Sequence, residues 1–273
     1  MSRLRLQVNS RLASRMRAVI GAIAFCRATD RQLIIHWPHL DESEDAGKFP
    51  CNMDDIWQHP YVEIHGDTSH WTSSLNSDLR SAGNLRYRTC HIAEWVEYFR
   101  RPIGDYLNEL QPTAALAEAI AAVDILEGVP LVGVVIRNHN RQKHTQPLDW
   151  FLGRMSDLRK LQPAVHFVVS ADCEETEGAV KACFGGAVHM QQKSYRYDQE
   201  GIIKWAADLY LLRDTHWVVG STRSSFSQLV AFMRGASRVG QLHDQNGSVA
   251  GGGYEDTWHG TTERKVRAAL NAT

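Results

Sequence analysis

A strand, a helix and a second strand follow one another within the first 37 residues, and this succession constrains the fold more than any other feature. Leu4, Leu6 and Val8 alternate with polar residues, the period of a half-buried strand. Asn9 and Ser10 break the pattern and can cap a helix. Leu12, Met16, Val19, Ile20 and Ile23 then recur at helical spacing, which predicts a helix over residues 11–28. Leu33-Ile34-Ile35-His36-Trp37, closed by Pro38, reads as a buried strand. Two strands joined by a crossover helix run parallel, so the chain belongs to the α/β class.

The same alternation returns after Gly128-Val129-Pro130. Residues 131–136 are a continuous apolar run. A helix at 148–160, a strand at 164–170, a helix at 175–183 and a short strand at 187–190 are expected to follow. Further on come a helix with Ile202, Trp205, Ala206, Leu209 and Leu212 on one face, a strand at 216–219 and a helix at 225–234. Between the two halves, residues 41–89 read as irregular, with a short helical piece at 53–57 and a polar loop at 68–84. Helical periodicity appears at 92–99 and 112–123. The expected organisation is a first domain over 1–127 and a second, doubly wound domain over 128–273. The last helix is expected to pack back on the first domain. Gly251-Gly252-Gly253 lies in a predicted connector loop.

Composition narrows the function. The 273 residues carry a formal charge of −1, which argues against a general affinity for nucleic acid or an anionic membrane. No apolar run approaches the ~18 residues of a membrane span, so no membrane insertion is expected. The first residues lack the apolar stretch of a signal peptide. Five cysteines, odd in number and without CxxC spacing, suit a reducing, cytoplasmic compartment better than a disulfide framework or a zinc site. Thirteen histidines include no HExxH pattern, so no metal is signalled.

Three segments stand at predicted strand ends, where open α/β sheets gather ligands. The first ends in Arg137, and an arginine closing an apolar strand can aim a bidentate fork at a diphosphate. An arginine paired with a nearby carboxylate is the plainer alternative. The second is Gly220-Ser221-Thr222-Arg223-Ser224-Ser225-Phe226-Ser227, a strand running through small residues into a helix start. Gly220 admits a close ligand, the hydroxyls and amides of Ser221, Thr222, Ser224 and Ser225 can bind phosphate, and the helix dipole favours an anion. A serine capping a structural helix reads equally well. The third ends in Asp172, which suits either a ribose or base edge or a helix cap. Asp208, beside an apolar helix face, can reach a nucleobase or be solvated.

These segments resemble, in order and rough spacing over nearly the whole chain, the fucosyltransferase superfamily of nodulation, α1,6- and protein O-fucosyltransferases. The Gly220-to-Ser227 segment, Phe226 included, matches that family's Gly-small-x-x-Ser-Ser-Phe-Ser motif. Asp208-Leu209-Tyr210-Leu211-Leu212 matches its Asp-Leu-x-Leu-Leu helix. Arg11-Leu12-Ala13-Ser14-Arg15-Met16-Arg17, then Leu33 to Pro38, follow its opening of a glycine-rich turn, Asn-Arg-x-Arg, helix and strand, with Leu12-Ala13-Ser14 in place of the glycines. The family's strand ends His-x-Arg-Arg-x-Asp; here it stands as Val135-Ile136-Arg137-Asn138-His139-Asn140, with the first His, the second Arg and the Asp replaced.

The resemblance implies a GT-B-like fold of two Rossmann-like doubly wound domains with a cleft between them. It implies a metal-independent, inverting glycosyl transfer from a GDP-sugar, fucose or a related sugar, to a glycan or natural-product acceptor. The nucleotide-sugar is a co-substrate, and no separate cofactor is implied. Arg137 would meet the β-phosphate, and Arg15 a phosphate or the acceptor; a solvated helix face is the plainer reading of Arg15. Asp41 leads the candidate bases, with Glu42, Asp45, His36 and His139 beside it. A different nucleotide donor and a non-catalytic nucleotide- or glycan-binding protein stay open as alternatives.

Overall fold

The computed structural model describes residues 2–8, 11–37, 49–64, 84–89, 103–137, 146–193, 195, 198–221, 224–233, 267–268 and 270–271. It divides into two compact units, residues 1–117 with 197–203, and residues 118–196 with 204–273. The boundary expected after residue 127 therefore differs from the one found, and residues 197–203 go with the first unit.

The first unit begins with β1 (Arg3–Val8), α1 (Leu12–Thr29) and β2 (Gln32–His36). It continues through β3 (Trp57–Gln58), β4 (Val62–Ile64), β5 (Asn84–Thr89), α2 (Ile103–Leu107) and β6 (Gln111–Pro112). α3 (Ala114–Ala121) runs across the boundary between units. The sheet order is β4-β2-β1-β5, and every pairing in it is parallel. Leu4, Leu6 and Val8 are fully buried, as their alternation requires. α1 is buried on almost every side and ends at Asp30, whose left-handed backbone (φ 49°) returns its N–H to the Cys26 carbonyl. The expected helical piece at 53–57 is a turn instead, with the Trp57 amide on the Met53 carbonyl, leading into β3 antiparallel to β6. β5 replaces the end of the irregular region expected over 41–89; its alternating Leu85 and Tyr87 are interleaved with arginines that mask the strand signal. The helical pattern at 92–99 and the glycine run at 251–253 lie outside the described residues.

The second unit contains β7 (Leu131–Ile136), α4 (Leu148–Leu161), β8 (His166–Ala171) and α5 (Glu174–Phe184). A 3-10 turn leads to β9 (Val188–His189), followed by α6 (Gln199–Arg213), β10 (Trp217–Gly220) and α7 (Ser225–Met233). α6 starts in the first unit and enters the second at Lys204. The sheet order is β10-β7-β8-β9, again entirely parallel. Val132, Val134 and Phe167 on one face pack with Phe151, Met155 and Leu158 of α4. Leu270 is buried in this same core, so the chain's last turn belongs to the second unit and not to the first. Its apolar side chain joins the α4 cluster, which is reason enough for that position.

On the other face α6 lies so close to β7 that only a glycine fits at 133. A Cβ there would stand 2.9 Å from Leu212 Cδ2 and 2.9 Å from Thr215 Oγ1. Gly133→Ala is expected to cost about 1–3 kcal/mol, the range for overpacking a filled core. Chemical denaturation of the two proteins checks this; an unchanged midpoint would mean that α6 moves away freely.

Candidate functional site

The strand order decides where a ligand can sit. From β7 the chain winds outward to β8 and β9, then returns to place β10 on the opposite side of β7. The order therefore reverses between β7 and β10, and ligands of open α/β sheets bind outside the carboxyl ends of the strands at such a point. Arg137 directly follows β7, and Ser221 directly follows β10.

Two hydrogen bonds lock these ends together. The Arg137 amide donates to Ser221 Oγ at 2.8 Å, and the Ser221 amide donates to the Val135 carbonyl at 2.9 Å. Ser221 Oγ also lies 3.3 Å from that carbonyl. Ser221 is thus buried as a clamp on the backbone that carries Arg137. The Arg137 side chain is half-buried, and among the described residues its guanidinium has no hydrogen-bond or ion-pair partner. Desolvating a guanidinium without a partner is costly, and a bidentate anion is the kind of group that would offset that cost.

α7 opens beside it. Ser224 is its N-cap: its hydroxyl accepts from the Ser227 amide at 3.3 Å, and its carbonyl from the Gln228 amide at 3.0 Å. The capping alternative therefore describes the Ser224 side chain, which is buried. Ser225 and Phe226 form the first turn and are half-buried, and Gly220 is the last residue of β10, in register with Val135. Thr222 lies outside the described residues, as do Asp41, Glu42, Asp45, Asn138, His139 and Asn140.

One strand over, Ile136 pairs with Ala171, so Asp172 follows β8 on the edge that carries Arg137. Asp172 does not cap α5; that position is Cys173, whose Sγ lies 3.0 Å from Thr176 Oγ1. Asp208 is neither solvated nor open to a base. It is buried, with Oδ2 2.6 Å from Lys193 Nζ and accepting the Ser170 hydroxyl. Lys193 Nζ also lies 3.1 Å from Glu177 Oε1 and 3.4 Å from Ser170 Oγ. Burial by itself would depress the lysine, but Asp208 and Glu177 outweigh it and hold its pKa above the ordinary value. Burial raises Glu177 above the usual carboxylate range, against the opposing pull of Lys193. Tyr195 stands close by with a left-handed backbone, φ 53°, and its ring centroid is 5.8 Å from Lys193 Nζ.

Arg15 belongs to the first unit and does not lie on a solvated helix face. It is fully buried, its guanidinium carbon 4.2 Å from the Phe49 ring centroid and 5.2 Å from that of Trp37. The signal was present: Arg15 falls three residues after Leu12 and four before Val19, on the apolar stripe itself. Lys193 and Glu177 carried no such signal. Lys193 sits in a polar run, and Glu177 among first-turn acids that suit any helix start. Among the described residues, no group of three or more His, Cys, Asp and Glu side chains is arranged to hold a metal, and no helix is long and apolar enough to cross a membrane.

No protein-family model and no curated protein matches the sequence. Solved structures do match. The α-1,6-fucosyltransferase NodZ co-crystallised with GDP superposes with a TM-score of 0.58 at 13% identity, over 84% of this chain and 92% of NodZ. The chain has the fucosyltransferase fold. FUT1 of Arabidopsis thaliana, a mutant in complex with GDP, matches with a TM-score of 0.56 at 12% identity, over 85% of this chain and 68% of that one. POFUT1 in complex with GDP gives 0.55 at 12% identity, over 85% and 94%. Sharing the fucosyltransferase fold means that the mixed α/β layers and parallel sheets seen here recur in proteins that were crystallised with GDP.

Proposed function

We propose that the chain is a GT-B-type, metal-independent, inverting glycosyltransferase. It transfers fucose or a related sugar from a GDP-sugar to a glycan or natural-product acceptor in the cytoplasm. The second unit is the donor side and the first unit the acceptor side. The observation that carries this reading is the half-buried, unpartnered Arg137 guanidinium at the reversal of strand order, beside the open first turn of α7. Donor cleavage leaves negative charge on the diphosphate as the sugar becomes oxocarbenium-like. A fixed guanidinium and helix amides meet that charge without reorganising. Arg137 serves as the catalytic residue, Ser221 holds its backbone, and Asp172 faces the nucleoside. NodZ with GDP-fucose and POFUT1 with GDP-fucose supply the donor class by analogy of fold.

Thermal stabilisation by GDP, UDP, dTDP, CDP and ADP tests the donor. At about 100 times its Kd a nucleotide adds roughly 2.7 kcal/mol to the folded state. GDP alone is expected to shift the midpoint. A shift with another nucleotide changes the donor, and no shift with any overturns the reading.

A further inference from the structure

A buried lysine between two acids is a poor way to gain stability, since well-packed apolar side chains serve as well or better. Here the arrangement sits where the donor reading needs geometry. The three donors of an ammonium are matched by three oxygens, Asp208 Oδ2, Glu177 Oε1 and Ser170 Oγ. None is left over for a ligand, so Lys193 acts on what it holds.

What it holds is the carboxyl end of β8. Ser170 is tied through its hydroxyl to Asp208 of α6, and the Ala171 amide donates to Glu177 Oε1 of α5 at 3.4 Å. The next residue is Asp172. The last two residues of β8 are thus braced from both sides, with Lys193 as the centre of the brace. Tyr195, two residues on, keeps a backbone conformation that aromatic residues seldom adopt, and such strain gathers at functional sites.

We propose that Lys193 is a positioning residue for the nucleoside end of the donor: it draws Glu177, Asp208 and Ser170 together and so sets where Asp172 stands. This rests on the donor-site reading above. An acid one strand over from the phosphate seat commonly meets a ribose in nucleotide-binding α/β folds.

The test is Lys193→Met combined with Asp208→Asn. One charge of each sign is removed, and the introduced amide oxygen still accepts the Ser170 hydroxyl. GDP affinity is expected to fall about tenfold, within the range for residues that act without touching a ligand, while inorganic pyrophosphate binds as to the wild type. Unchanged affinity for both probes overturns the proposal, and so does equal loss of both, which marks a general structural role. Should the double variant fail to fold, Glu177→Leu carries the same test, because it leaves the Lys193–Asp208 pair in place. Wild-type protein that binds neither probe overturns the donor reading instead. Hydrogen exchange at the Ala171 amide then decides the positioning alone: faster exchange in the variant upholds it, and an unchanged rate removes it.

Discussion

Arg137→Ala is expected to lower turnover by about 10²–10³-fold, equivalent to about 2.7–4 kcal/mol of barrier, the usual effect of deleting a preorganised donor to a developing oxyanion. The fold should persist. Among the described residues no carboxylate depends on this guanidinium, so its removal strands no buried charge. The contact of residue 137 with Ser221 is made by the backbone amide, which alanine keeps. Donor turnover and the thermal midpoint, measured together, separate the two effects. A variant with unimpaired turnover removes Arg137 from the reaction. Arg137→Lys should recover only part of the loss, because an ammonium cannot make the paired, planar contact of a guanidinium.

Lys193→Met alone is expected to cost about 3–5 kcal/mol, because it leaves Asp208 buried without its cation. Chemical denaturation reads this directly. An effect below ~1 kcal/mol would mean that water or another cation replaces the ammonium. In the wild type the pH dependence has a fixed sign. The Lys193 pKa lies above its ordinary 10.5, so the folded state holds this proton more tightly than the unfolded one. That contribution is complete below pH 10.5 and is lost as pH rises through the raised value. Glu177, raised above its ordinary 4.5, likewise withdraws stability as pH climbs from 4.5 through its raised pKa. The double variant used to test positioning should escape part of the loss seen with Lys193→Met, since it no longer strands the Asp208 charge and leaves only Glu177 without its cation.

Much of the fold could be read from residue order. The run from Leu131 to Ile136 has the bounds of β7, and 148–160 and 175–183 fall within α4 and α5. Long apolar or periodic segments report their own structure because burial of one face is a local pattern. β5 was hidden because a short strand with arginines at alternate positions looks like loop until β1 pairs with it. Of the candidate site, the places of Arg137 after β7, Gly220 at the end of β10 and Ser224 at the start of α7 are legible, because strand ends and helix starts carry local signatures. The sequence leaves Asp208 open to a base or to solvent, and the fold closes it.

The sequence by itself determined the α/β class, the parallel strands and the residues at the strand ends, all of which follow from periodicity and capping within a few turns of chain. Only the tertiary structure decided that β10 lies against β7 and so puts the reversal of strand order beside Arg137. The fold alone buried Arg15 under Phe49 and Trp37, and joined Lys193 to Asp208 and Glu177. Those contacts link residues distant in the chain, and their energy comes from desolvation and close packing that exist only once the elements have assembled.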